Sequence, residues 1–397
     1  MYGRILLALT LVLAIAAAPA ATQAQSCTAK VRRSEVALPM GAFAMVEVPG
    51  TCQLLATLGT DDDKQGGLAL IDLRDSKPVL VRTVPLATAA YGLVLSHDRR
   101  LAVAAGGDRI YVFDVRALVA GKTSGLAATL KYADHPGTVS LAFTADEKLL
   151  FASDEQAGKI TALDFFAMRK SGFSKPKVVA SIAVDYAPTV LAASRDGRFL
   201  YVPVQGLLRR HNPPIACRSE GGKHPTPINP VGGILTVDVA KVSSDPDHAV
   251  VSRAYAGCSP VRLALSRDGR TMWVTNRLGD TVRAFDVAKL AADPQHSQIA
   301  IVNVGHQPIG VALLDGDRIV AVANACRWDC PEGPKTVSAF IAADALRGAG
   351  SPRSTEVGAF PRDLGASANG EALYVSNFGS KSISIIPASQ LLKEAGQ

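Results

Sequence analysis

The chain has 397 residues, 48% apolar and only 19% charged, and its 42 Lys plus Arg against 35 Asp plus Glu give a formal charge of +7. That balance excludes a disordered or fibrous chain. The mild basicity permits contact with anionic groups without amounting to a nucleic-acid footprint in a chain this long.

Met1 to about Ala24 reads as a secretory leader: Arg4 supplies the positive start, Ile5 to Ala18 is apolar, and Thr22-Gln23-Ala24 ends on a small residue suited to cleavage. The apolar run is shorter than the roughly 20 residues that span a bilayer, and no later segment is long and apolar enough to do so. The expectation is a soluble monomer, periplasmic or secreted, that begins near Gln25. Export makes the six cysteines (Cys27, Cys52, Cys217, Cys258, Cys326 and Cys330) a disulfide set. None has Cys-x-x-Cys spacing, so structural zinc is not expected.

From residue 25 on, one phrase recurs: a short apolar strand, a polar turn with Asp-Gly or its equivalent, a second apolar strand, a loop, and a third strand ending near Asp. The clearest copies are Val261 to Asn276 and Arg362 to Asn377. Anchored on their turns at Val48, Ser96, Thr144, Ser194, Ser266, Leu314 and Ser367, the copies are spaced 48, 48, 50, 72, 48 and 53 residues apart. A period near 48 fits four short strands plus turns, the size of a propeller blade. Third strands are predicted at 67–73, 109–115, 159–165, 233–239, 281–287, 336–341 and 381–386, and fourth strands include 79–86, 178–184 and 299–304. The last copy lacks a fourth strand, whereas an orphan segment, Lys30 to Leu38, precedes the first copy. The prediction is therefore an all-β chain whose residues 25–397 form a single seven-bladed β-propeller of four-stranded blades, closed by an N-terminal latch strand.

That topology constrains the cysteines. Cys27 at the start of the latch and Cys52 in the first turn of blade one fall on the same face of the disc. Cys217, Cys258, Cys326 and Cys330 fall on the other. The expected pairs are Cys27 with Cys52, Cys217 with Cys258, and Cys326 with Cys330.

Trp273-Val-Thr-Asn276, Tyr374-Val-Ser-Asn377 and Ala321-Val-Ala-Asn324 resemble the Tyr-Val-Thr-Asn repeat of the YVTN family of seven-bladed propellers, as do the strands opening at Pro260, Pro308 and Pro361. The resemblance covers essentially all of the chain after the leader. It implies an exported propeller that binds ligands or macromolecules, with a related lactonase-like branch that hydrolyses sugar lactones. The His-Pro and Asp-Leu-Gly features expected of that branch are not matched, which places binding ahead of hydrolysis.

Function on a propeller lives at the faces and the axial channel. In the columns that open the innermost strands, most residues are small or apolar, so Arg262, Arg362 and Asp363 stand out, with Tyr91 and Phe43 as a stacking surface. Loops on the same face add Asp61, Asp63, Asp154, Glu155, Gln205, Asn276, Arg277, His306, Asn324 and Asn377. About 24 extra residues in blade four, roughly 206–230, form a proline-stiffened basic insertion carrying Arg209 and His211, suited to covering an anionic ligand. The leading expectation is binding of a small polar or anionic ligand, or of a protein or glycan partner, with no cofactor and no chemistry. The alternative is a lactonase-like hydrolase acting through a divalent metal or polar groups in the channel, and a metal would need three or more of Asp61, Asp154, Asn276, Asn324 and Asn377 to converge. Nucleic acid ranks last, since only Tyr91, Phe43, Trp328 and Phe378 could stack on bases.

Overall fold

A computed structural model of the chain describes residues 32–75, 77–134, 136–207, 217, 231–326 and 335–393. The expected leader, Cys27, Cys330, Arg209 and His211 lie outside the described residues. Seven antiparallel sheets stand around one axis as the blades of a propeller. The four strands of blade five, Pro260–Leu265, Thr271–Asn276, Thr281–Asp286 and Gln298–Asn303, show the common plan from axis to rim. Blade four departs from it, because its innermost strand is split into Tyr186–Pro188 and Ala192–Ala193.

The predicted latch exists over Ser34–Ala37. It pairs antiparallel with Ser382–Pro387, Val36 lying opposite Ile383, and completes the sheet whose other strands are Ala372–Asn377 and Pro361–Ala366. Without it, the third strand of blade seven would be an open hydrogen-bonding edge. Val36 is also buried in a core shared with Leu54 and Ala56 of blade one and Ile383 and Ile385 of blade seven, so the latch seals the seam between the ends of the chain.

Each letter of the repeated second-strand motif has a physical task. The aromatic residue packs between blades: Trp273 meets Phe340 of blade six edge-on at 5.5 Å, and the Tyr374 hydroxyl donates to Glu47 of blade one at 2.9 Å. The hydroxyl residue ties the blade to the inner strand of the next, Thr275 donating to the Ile309 carbonyl at 2.7 Å and Ser376 to the Phe43 carbonyl at 3.2 Å. Asn324 donates through its amide to Thr336 and Ser338 of its own third strand, and Asn377 does the same to Ser382 and Ser384. Glycine is required above both asparagines. A Cβ on Gly305 would lie 2.4 Å from the Asn324 side chain, and one on Gly358 would lie 2.7 Å from Asn377.

The Ser-x-Asp turns are equally local in origin. Ser266 donates to Asp268 at 2.5 Å while Asp268 accepts the Arg270 amide at 3.0 Å, and Ser96, Thr144 and Ser194 repeat the arrangement. The Asp that closes a third strand is a helix N-cap: Asp114, Asp164 and Asp286 accept the amides of Ala117, Ala167 and Ala288, and short helices follow at Val115–Ala120, Phe165–Lys170 and Val287–Ala292.

Of the expected disulfides, Cys217–Cys258 is formed, closing a separation of 41 residues. Cys52 and Cys326 are also disulfide-bonded, and the partners expected for them lie outside the described residues. No helix among the described residues is long and apolar enough to cross a membrane.

Because the latch is held by one buried apolar contact and a short ladder, Val36→Asp should lower the free energy of unfolding in urea by about 2–4 kcal/mol. Val36→Ile should stay within about 1.5 kcal/mol of the parent. Equal stability of Val36→Asp and parent would show that the ring is held closed elsewhere.

Candidate functional site

The opening residues of the inner strands converge on the axis because each blade presents the same register there. In blade five Pro260 pairs with Asn276, and Pro308 with Asn324, Pro361 with Asn377 and Thr138 with Asp154 repeat it. A break in register after each of these pairs turns the next inner-strand residue to the axis, as in any bulged strand. The result is a cavity of about 330 Å³ lined by Arg262, Arg277, Arg362, Asp363, Gln205 and Glu155 over an apolar floor. A second lobe of about 560 Å³ lies beside it, toward blade one, with Asp61, Asp63 and Phe378 in its wall. Phe43, Tyr91, Val139, Glu155 and Arg362 line both lobes.

Arg362 is held by aromatic faces. Its guanidinium carbon lies 4.5 Å from the centre of the Phe43 ring and 5.6 Å from those of Phe360 and Phe378. Phe43 in turn meets Tyr91 and Phe378 edge-on at 4.8 and 4.9 Å. Such stacking suits a planar guanidinium and fixes its direction before any ligand arrives. Burial, followed by its hydrogen bond to Asp63 and that group's negative charge, raises the Tyr91 hydroxyl above the usual phenol range, so Tyr91 stays a neutral donor.

Arg277 is buried at 8% exposure, and a polar relay fixes it. It donates to the side-chain Oε1 of Gln205 at 2.8 Å and to the Ser259 hydroxyl at 3.3 Å, and the Gln205 side-chain Nε2 donates to Glu155 at 2.7 Å. Three blades are thereby linked along one wall. Ser259 sits in the left-handed region at φ 51°, immediately after the disulfide-bonded Cys258. Arg262 lies 3.9 Å from Asp363, the remaining charged pair of the cavity. Burial raises the Asp363 carboxyl, and the charge of Arg262 acts against that rise. Asp363 thus faces Arg262, while its sequence neighbour Arg362 is taken up by the aromatic rings.

Of the expected ligand residues, Tyr91, Arg262, Arg277, Arg362 and Asp363 come together at this cavity. Asn276, Asn324 and Asn377 do not. They are almost fully buried, and their amides bond inside their own blades. His306 stands at the connection into blade six, 3.1 Å from Asp280, which also accepts the Gln307 amide; neither lobe includes it. Asp61 lines the second lobe, whereas Asp154 occupies the position that carries Asn in blades five to seven and accepts hydroxyls from Thr161 at 2.6 Å, Thr138 at 3.1 Å and Tyr132. The set Asp61, Asp154, Asn276, Asn324 and Asn377 therefore does not converge, and among the described residues no group of three or more His, Cys, Asp or Glu could hold a metal ion.

Glu155 and Gln205, named among the loop residues of this face but not among the expected ligand residues, line the cavity. Their signal is positional: each follows the residue paired with the strand-opening column, as Arg277 and Phe378 do.

No family model matches the chain, and no curated protein is significantly similar to it in sequence. Among solved structures it is similar to Kuenenia stuttgartiensis hydrazine synthase, with a TM-score of 0.60 and 12% identity over 90% of this chain and 95% of that one. At that identity the likeness shows the propeller fold alone.

Burial raises the Asp154 carboxyl above its ordinary value despite the opposing hydroxyl donors Thr161, Tyr132 and Thr138. A folded-state pKa above the unfolded one stabilises the fold below the unfolded value, near 3.9, and that contribution is lost as pH rises through the folded value. Asp154→Asn should therefore melt higher than the parent at pH 7, with the difference shrinking to nothing near pH 3.5. A lower melting temperature for the variant at pH 7 would mean that the three hydroxyl bonds outweigh the burial cost.

Proposed function

We propose that the chain is an exported YVTN-type propeller that binds a small polar, anionic ligand at the mouth of its axial channel, without chemistry of its own. The observation that carries this reading is the gathering of Arg262, Arg277 and Arg362, from blades five and seven, around one cavity with a largely apolar floor. Guanidinium groups fixed in advance by a ring cage and a hydrogen-bond relay lose little freedom on meeting a carboxylate or phosphate, and a partly desolvated wall strengthens the contact. A volume of about 330 Å³ is in the range of small-molecule sites. Export is supported by the leader-like N-terminus and by a disulfide joining residues 41 apart, a bond that persists in oxidising compartments.

The metal-dependent hydrolytic alternative needs at least three of five candidate oxygen ligands around one point. Four of them, Asp154, Asn276, Asn324 and Asn377, are engaged inside their own blades. Binding is therefore the reading that the side-chain placement favours.

Calorimetric titration with citrate, gluconate and phosphate tests it. At least one anion should bind saturably, more weakly at higher salt, and Arg262→Ala should weaken it at least tenfold, or about 1.4 kcal/mol. Absence of heat with every anion, or affinity unchanged in Arg262→Ala, would refute the proposal.

A further inference from the structure

The second lobe, which shares Arg362 and Glu155 with the first, carries more acidic groups. Asp61 and Asp63, on the loop between the second and third strands of blade one, and Glu155, at the end of the second strand of blade three, face the second lobe. Lys64, the cation of that loop, pairs at 3.5 Å with Asp62, which also accepts from Thr60 at 2.7 Å. Among the described residues no ion pair engages Asp61, Asp63 or Glu155 within 4 Å. The aromatic rings of Tyr91 and Phe43 belong to both lobes, as do Glu155 and Arg362.

A ligand that is anionic throughout would set its charge against these carboxylates, a juxtaposition that costs affinity. A compact metal ion does not suit them either, because they are spread along a wall and are not gathered as a chelate. An organic ammonium fits, since it needs several loosely placed carboxylates and gains from nearby aromatic faces.

We infer that the ligand is a zwitterion of the short-peptide class, its carboxylate held by Arg262, Arg277 and Arg362 and its ammonium by Asp61 and Asp63 in the adjoining lobe. This rests on the anion-binding reading and specifies the ligand class for it. Arg362, walled in by Phe43, Phe360 and Phe378, marks the boundary between the two halves.

Three probes of one skeleton separate the possibilities: dialanine, N-acetyl-dialanine, which keeps only the carboxylate, and dialanine amide, which keeps only the ammonium. Calorimetry should find dialanine bound at least tenfold more tightly than either capped form. In Asp61→Asn combined with Asp63→Asn, dialanine should fall to the affinity of N-acetyl-dialanine, whose own binding stays unchanged or strengthens. Asp63→Asn alone, which leaves the Gln205 relay intact, should show part of the same loss if the double variant folds poorly. If N-acetyl-dialanine binds as tightly as dialanine and neither variant alters the ratio, the zwitterion inference fails while anion binding stands. If neither carboxylate-bearing probe binds, the zwitterion inference fails, and citrate, gluconate and phosphate then decide the anion reading separately. Binding of dialanine amide alone overturns the assignment of the arginine wall.

Discussion

Ring closure is the constraint on which the site depends. Ser34–Ala37 completes blade seven and runs on through residues 38–40 into Gly41–Val48, the inner strand of blade one, so both ends of the chain meet in one sheet and blade one is held against blade seven at their seam. The same seam positions the guanidinium at the centre of the cavity: Arg362, Phe360 and Phe378 come from blade seven, Phe43 from blade one. Ser376 reaches across to the Phe43 carbonyl and Tyr374 to Glu47, so hydrogen bonds at two radii fix the relation that the stacking needs. Sealing the edge and orienting Arg362 are consequences of one packing arrangement.

Around that seam the repeat sets up a nearly symmetric scaffold, and the departures from symmetry fall where ligand chemistry would be placed. The inner-strand column holds small or apolar residues in blades one to four and again in blade six, while blades five and seven supply Arg262, Arg362 and Asp363. Asp61 and Asp63 of blade one line the adjoining lobe together with Arg362 of blade seven, and Glu155 of blade three lines both lobes. A seven-fold frame thus becomes a cavity whose two adjoining lobes differ in charge. The buried asparagines behave in the opposite way, since Asn324 and Asn377 repeat one hydrogen-bonding task in successive blades. Repetition at a position marks architecture here, and deviation marks the site.

Much of this was legible in the chain itself. Turn anchors near a 48-residue period define seven blades, the orphan N-terminal segment is the latch, and the strand-opening columns do line the cavity. The Cys217–Cys258 pair follows from the faces on which strand topology puts the two residues. What the sequence hid depends on single-residue steps in register. Asn276 and Arg277 are adjacent, yet Asn276 closes its strand and Arg277 begins the turn after it, so the first is buried in the blade and the second lines the axis. The polar-loop appearance of both residues gave no means of separating them. Glu155 and Gln205 stood among the loop residues of this face with nothing to separate them from the buried asparagines, and His306 drew attention through its chemistry although its partner, Asp280, makes it part of a blade connection.

The claim that three arginines converge to receive an anionic group can be tested by direct observation. Crystals grown in selenate and measured at the selenium absorption edge should show an anomalous peak within hydrogen-bonding distance of Arg262, Arg277 and Arg362, at the channel mouth, and no peak there in crystals of Arg262→Ala. Selenate bound only elsewhere on the surface, with the cavity between these guanidinium groups empty of anomalous density, would contradict the account.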